Sequence, residues 1–326
     1  MGPRVEIMKN AFKFLSVVLP VHNEERNLPF LYQELTNELK NITKSYEIIF
    51  VDDGSTDHSY LVLQELAHKD KNIKIIKLLS NYGQSTALGA GLDHAVGENI
   101  VTMDSDGQHN PKDIKSLLEP LLHGYHVVCG WRRTRSDSYV QKKLPSKVAN
   151  SLVNKMTGLK LHDTIGGMKA FKKEVAEIVP LYGDMHRYLP VLAKWKGFRV
   201  TERPIYVRNR RSGRTHYKFN RLLKGFFDLV TVKFFVSYST RPFHIFARIG
   251  LLSLTTGVLI GAYYLIQKIF FGVYLLNEIA SLILSVLLIL LGFNFICFGL
   301  IADMISFDSI ASRKKKMYLV EKVVNN

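Results

Sequence analysis

Only two of the 326 residues are cysteine, Cys129 and Cys297, one in each half and with no C-x-x-C pair. Neither a disulfide framework nor a zinc site is implied. The chain has no G-x-G-x-x-G fingerprint and no G-x-x-x-x-G-K-[ST] loop, so neither a dinucleotide site of the Rossmann type nor a P-loop is supported. No Ser or Cys stands in a nucleophile elbow, which sets aside a hydrolase triad around Asp184, His186 and Arg187. Acidic residues are outnumbered, 28 Asp and Glu against 44 Lys and Arg, for a formal net charge of +16. No apolar core of signal-peptide length precedes the first strand-like run, so the front half is expected to stay in the cytoplasm.

The positive charge is concentrated. From Arg199 to Arg248 there are twelve Lys and Arg against two acidic residues, Glu202 and Asp228. Such a stretch meets phosphates, whether of nucleic acid, of lipid headgroups or of a phosphorylated substrate. The C-terminal third favours lipid: residues 249–267 and 279–302 are uncharged runs of 19 and 24 residues, each long enough to cross a hydrocarbon core as a helix. No nucleic-acid partner is expected. Residues 219–236 interleave Leu222, Leu223, Phe226, Phe227 and Val230 with Arg221, Lys224 and Lys233, the pattern of a helix lying in the membrane interface. A core-facing helix is the alternative. Arg241 and Arg248 flank the first span and the basic residues 313–316 come after the second, while the connection carries only Lys268 and Glu278. The positive-inside rule then predicts a two-span hairpin with both ends cytoplasmic. The expected organisation is a catalytic domain over residues 1–217, juxtamembrane amphipathic helices over 218–242, two transmembrane helices over 243–304 and a basic cytoplasmic tail over 305–326.

Before the basic stretch, short apolar runs alternate with helical patterns. Residues 14–19, 46–51, 73–78 and 99–103 read as strands; between the first two, Leu28, Leu31, Leu35 and Leu39 recur at helical spacing. Thr56 or Asp57 would cap the helix after the second strand, and residues 85–95 form a small-residue helix. This alternation predicts an α/β fold with right-handed crossovers and a mostly parallel sheet. Ligands of such sheets lie beyond the carboxyl ends of the strands. Three polar clusters share that address: residues 20–24, 52–57 and 104–108.

The last of these, D-S-D-G-Q, places Asp104 and Asp106 at i and i+2, projecting to one side of extended chain, with Gly107 permitting a sharp bend that brings Gln108 to the same point. Two carboxylates and an amide oxygen suit Mg²⁺ or Mn²⁺ with coordination positions left for phosphate oxygens. Taken alone, the same residues read as a solvated turn closing a strand.

Taken together, P-V-H-N-E at 20–24, V-D-D-G-S-T-D at 51–57, N-Y-G-Q-S-T-A-L-G-A-G at 81–91, D-S-D-G-Q at 104–108 and D-T-I-G-G-M-K at 163–169 resemble the family 2 glycosyltransferases of the GT-A (Rossmann-like) fold. Within them the chain is similar to the branch of dolichyl-phosphate mannosyltransferase and the bacterial polyprenyl-phosphate glycosyltransferases. The resemblance covers roughly the first 220 residues in family order, and the two hydrophobic segments fit it as well.

The resemblance implies roles. Pro20, His22 and Glu24, with Asp52, Asp53 and Gly83, would hold the nucleotide; His22 stands where Tyr is frequent. An N-cap cluster at Asn23 and Glu24 and an Asx turn at Asp52 and Asp53 are the alternatives. Asp104, Asp106 and Gln108 would bind the metal and diphosphate. Arg132, Lys143, Ser146 and Lys169 would serve the acceptor phosphate or the diphosphate, and Arg210 and His216 would close over the donor. Asp163 would act as a base or only structurally, as a cap or in an ion pair with Lys160 or Lys169; Gly167 stands where some relatives carry Asp. The implied enzyme is a membrane-anchored, inverting, metal-dependent transferase moving a hexose from a UDP- or GDP-sugar to undecaprenyl or dolichyl phosphate, with a homo-oligomer expected. Another lipid or glycan acceptor, or a catalytically silent membrane scaffold, is the alternative.

Overall fold

The computed structural model describes residues 12–132, 159, 161–163, 166–179, 185–208, 243–272, 278–311 and 318–325. They form two units, residues 1–230 with 316–326 and residues 231–315.

In the first unit the chain runs β1 (Leu15–Val21), α1 (Leu28–Ile42), β2 (Tyr46–Asp52), α2 (Ser59–Lys69), β3 (Ile73–Leu78), α3 (Gln84–Asp93), β4 (Asn99–Thr102), α4 (Asp113–Leu122) and β5 (Val127–Arg132). It continues with β6 (Lys169–Lys172), α5 (Lys173–Ile178), a 3₁₀ turn (Met185–Tyr188), α6 (Leu189–Trp195) and β7 (Val200–Ile205). β1 and β2 are buried along their whole length, as expected of parallel strands covered on both faces. Helix α1 turns Leu28, Leu31, Leu35 and Leu39 inward, the stripe its sequence predicts. Leu35 is fully buried, and truncating such a leucine to Ala costs about 2–5 kcal/mol.

The sheet order is β7-β5-β6-β4-β1-β2-β3-β8. β3, β2, β1 and β4 pair in parallel, whereas β6 runs antiparallel to both β4 and β5. The order reverses at β1 and β4, so a crevice opens beyond their carboxyl ends, where ligands of such sheets bind. At the opposite end Ser16 Oγ donates to Glu47 (2.6 Å), which also accepts from the Val96 N–H (2.8 Å) and lies 3.5 Å from Lys74 Nζ. That buried charge is thus paired and hydrogen-bonded.

The eighth strand, β8 (Val320–Val324), lies in the stretch the sequence suggests is a tail. It pairs antiparallel with β3, Ile75 opposite Val324, and so covers the sheet edge. Tyr318 donates to Asp93 (2.7 Å), Lys77 pairs with Glu321 (2.8 Å), and Asn325 donates to the carbonyls of Ala67 and Ile73.

The second unit contains α7 (Phe243–Phe271) and α8 (Ile279–Ala311), two antiparallel helices each long and apolar enough to cross a membrane. Small residues let them approach closely: a methyl on Gly250 would sit 2.7 Å from the Gly292 carbonyl, and one on Gly257 2.8 Å from that of Ser285. Ser253 and Ser285 each donate a 2.8 Å hydrogen bond across the seam, to Leu288 and Gly257. The expected amphipathic segment, residues 219–236, lies outside the described residues.

Candidate active site

Beyond the ends of β1, β2 and β4 is a cavity of about 340 Å³ lined by Pro20, Val21, His22, Glu24, Asp53, Asn81, Gly83, Gln84, Asp104, Ser105 and Asp106. Four separate loops supply these side chains, and hydrogen bonds between the loops hold them in register. Asn23 adopts a left-handed conformation (φ 57°), and its Oδ1 accepts from the Thr56 N–H (2.8 Å), joining the β1 loop to the β2 loop. Asp53 accepts the backbone N–H of Tyr82 at one oxygen (2.7 Å) and of Gly83 at the other (2.9 Å), fixing the loop before α3. Ser105 donates to the Pro20 carbonyl (2.7 Å), tying the β4 loop to β1.

His22 Nδ1 lies 2.9 Å from the Asp53 carbonyl, which requires the proton on Nδ1; Nε2 then accepts from Asn81 Nδ2 at 3.2 Å. Glu24 accepts from Asn27 Nδ2 (2.5 Å), while its N–H donates to Ser59 Oγ (2.8 Å). Both residues therefore line the cavity and brace the turn into α1. Asp52 does not line the cavity. Its side chain is buried, one oxygen accepts the Ser55 N–H (3.3 Å) and the other has no hydrogen-bond partner among the described residues. Burial pushes its carboxyl up. This is the Asx-turn alternative, and it corrects the expectation that Asp52 reaches a nucleotide: a strand end directs neighbouring side chains oppositely, and only Asp53 faces out.

Gly107 has φ +72°, the bend its sequence suggests. It leaves Asp104 and Asp106 on the cavity wall. Gln108 is absent from that wall, and its backbone carbonyl accepts the Arg208 N–H (2.8 Å). Asp104 Oδ1 accepts from Gln84 Nε2 (2.6 Å) and Oδ2 lies 3.4 Å from His109 Nε2. Desolvation raises the Asp104 carboxyl, but the hydrogen bond and charge of His109, with Lys169 and His186 nearby, bring it down to about 2. Among the described residues no three His, Cys, Asp or Glu side chains cluster as a metal site. Two carboxylates alone still fit Mg²⁺ or Mn²⁺, which take one or two protein carboxylates and complete their shell with substrate phosphates and water.

Gly167 packs against this carboxylate. A methyl there would lie 2.4 Å from Asp104 Oδ2 and 2.9 Å from His109 Nε2, so Asp104 as placed leaves no room for a side chain at 167. Arg132, at the end of β5, forms a two-pronged pair with Asp163, Nε to Oδ2 at 2.6 Å and Nη2 to Oδ1 at 3.1 Å. Both oxygens of Asp163 are thereby engaged, which suits holding Arg132 rather than abstracting a proton; among the described residues its ion-pair partner is Arg132 and not Lys169, and Lys160 lies outside them. Lys169 is buried in β6 and donates to the Gly166 carbonyl, and burial lowers its ammonium pKa. It does not line the cavity, contrary to a direct diphosphate role, because the register of β6 turns it inward. Lys143, Ser146, Arg210 and His216 lie outside the described residues.

Sequence reasoning gave no role to Gln84 and His109, the two side chains that touch Asp104; His186, set aside there as a triad member, is the hydrogen-bond partner of Ser85 Oγ. Gln84 sits inside the recognised 81–91 motif and His109 directly after the 104–108 motif. Their own side chains form no pattern of their own.

The family model described as "Glycosyl transferase family 2" matches residues 16–179, from β1 through α5. The chain is 32% identical over 319 residues to the dodecaprenyl-phosphate galacturonate synthase of Rhizobium johnstonii, covering 96% of this chain and 93% of that protein. It is 30% identical over 311 residues to the undecaprenyl-phosphate 4-deoxy-4-formamido-L-arabinose transferase of Proteus mirabilis, covering 95% and 94%. Among solved structures, glucosyl-3-phosphoglycerate synthase from Mycobacterium tuberculosis in complex with Mn²⁺, UDP and glucosyl-3-phosphoglycerate superposes with a TM-score of 0.56 at 19% identity, over 71% of this chain and 82% of that one. The same enzyme with Mg²⁺ and UDP gives 0.54 at 18%, over 72% and 82%. These likenesses show the GT-A fold.

Proposed function

Because the chain belongs to glycosyl transferase family 2, we propose that it is a membrane-anchored transferase moving a sugar, a hexose or hexose derivative, from a nucleoside diphosphate to a polyisoprenyl phosphate. The observation that carries this reading is the extent of the match: two polyprenyl-phosphate sugar transferases align over 96% and 95% of the chain, membrane helices included. The cavity supports it, because its wall is polar and carries Asp104 and Asp106 beside His22, Glu24, Asp53 and Asn81.

His22, Glu24, Asp53, Asn81 and Gly83 line the end where the nucleotide is placed. Asp53 acts by fixing the Tyr82–Gly83 backbone on the cavity wall. Asp104 and Asp106 would hold the divalent cation, which when bound offsets the negative charge of the departing nucleoside diphosphate. Gln84 and His109 hold Asp104 in the orientation that faces the cavity. A lipid phosphate is already ionised near neutral pH, with a second pKa of about 6, so its own oxygen attacks the anomeric carbon from the face opposite the leaving group, and configuration inverts. No protein base is needed, consistent with Asp163 being tied to Arg132. The guanidinium, oriented by that pair, draws the acceptor phosphate, and positioning with electrostatics carries the rate.

The chain leaves the first unit before α7 and rejoins it at β8, so two crossings return it to the face it left. With the flanking basic residues, this supports a catalytic unit and a β8 strand that are both cytoplasmic.

The reading is tested by transfer of labelled sugar into polyisoprenyl phosphate by purified protein, across a panel of UDP- and GDP-linked hexoses, hexuronates and pentoses, with Mg²⁺, Mn²⁺ or chelator. Chelator-sensitive labelling of the lipid from one donor is the expected result. Donor hydrolysis without lipid labelling would move the acceptor to another lipid or glycan, and no turnover with any donor would favour a scaffold.

A further inference from the structure

Helix α8 carries one amide deep inside its apolar length. Asn294 lies next to the middle of the 33-residue helix, with no charged residue between positions 279 and 302. Its side chain is exposed on the outer surface of the helix pair, away from the seam where Gly250 meets Gly292. Nδ2 donates one hydrogen bond back to the Leu290 carbonyl (2.9 Å). The other N–H and Oδ1 have no partner among the described residues. On α7 the exposed hydroxyls differ: Thr255 and Thr256 each donate to a carbonyl of their own helix, at 2.8 Å, and so place their only proton.

Acyl chains offer an amide nothing to bond, and a polyisoprenyl tail is hydrocarbon as well. The group that answers a free N–H and a free C=O together is another amide. Two copies of this chain insert with the same orientation, so their α8 helices run parallel and Asn294 can face Asn294 across a twofold axis, each donating to the other. A polar residue inside an apolar interface also sets register. The residues above and below on the same face are Leu287, Leu291, Phe298, Ile301 and Ile305, all about half-exposed or more, and their steps of four and three are those of a parallel seam. Every face of such a helix is apolar, so the asparagine and not the stripe selects this one.

We infer that Asn294 is the centre of a contact between two copies of this chain within the membrane, its free N–H and C=O paired with the same residue of the second copy. The inference rests on α7 and α8 crossing a membrane and not on the reaction proposed above.

The test uses the full chain in lipid nanodiscs and in liposomes. In a Cys297→Ser background, Asn294→Cys is expected to give a disulfide-linked dimer on mild oxidation, while Leu259→Cys, exposed on α7, stays uncrosslinked. Asn294→Leu is expected to raise the dimer dissociation constant about tenfold, read by energy transfer between labelled copies, and Asn294→Gln to restore much of it. A wild-type chain that is monomeric in the bilayer, unchanged self-association of Asn294→Leu, or a 294 crosslink only to a different membrane protein would each overturn the inference. Should the leucine variant not accumulate, the crosslinking arm decides alone.

Discussion

Two carboxylates of the first unit, Asp53 on the cavity wall and Asp163 off it, are used in opposite ways. Asp53 accepts two backbone N–H groups, those of Tyr82 and Gly83. Asp163 accepts two N–H groups of a single guanidinium, Arg132. The first arrangement shapes a loop and adds negative charge to the wall. The second aims a cation and cancels part of its charge. Between them Asp104 and Asp106 face the cavity at the β1/β4 switch point. Carboxylates alike in the sequence thus do different work: one braces a backbone loop, the other orients a guanidinium.

The largest effect tests the centre that both halves share. Asp106→Ala is expected to lower turnover on the order of 10²–10³-fold with any donor, because an electrostatic anchor for the leaving group is lost. Its unfolding midpoint should stay within about a degree or two, since Asp106 is part-exposed and its removal opens no core cavity. Full activity would sink the metal assignment. Asp163→Asn comes next: losing the charged partner of Arg132 should raise KM for the lipid phosphate about 10–100-fold while KM for the donor changes little. If donor KM moved instead, the division between the two ends would be broken. The smallest of the three is Asp53→Asn, which turns an amide N–H toward a backbone N–H and should raise donor KM about tenfold with the lipid KM unchanged. Steady-state kinetics with each substrate varied in turn separates the last two.

Where physical signals are local, the sequence is a good guide. The leucine stripe of α1, the strands that deliver residues 20–24 and 104–108, the bend at Gly107 and both apolar helices are visible in spacing and hydropathy. The phase of a strand end is not: Asp52 and Asp53 are chemically identical, and only the packed sheet sends one inward and the other to the cavity. Lys169 is misread for the same reason, since the register of β6 between β4 and β5 decides which way it points. The Arg132–Asp163 pair joins positions 31 apart across a sheet and leaves no periodicity. β8 is the furthest case. Val320–Val324 comes after a run of lysines and reads as a tail, and its partner β3 lies about 240 residues earlier.

That distance bears on how the protein is made. During synthesis β3 emerges early and its outer edge stays open, because the strand that covers it is translated only after α7 and α8. A sheet edge with free N–H and C=O groups invites the wrong partner for as long as it waits. The first unit therefore acquires its finished edge only once α7 and α8 have been made and the chain has come back. Sheet closure by β8 thus couples the two ends of the chain: the edge of a strand made among the first is finished by a strand made last, after both long apolar helices.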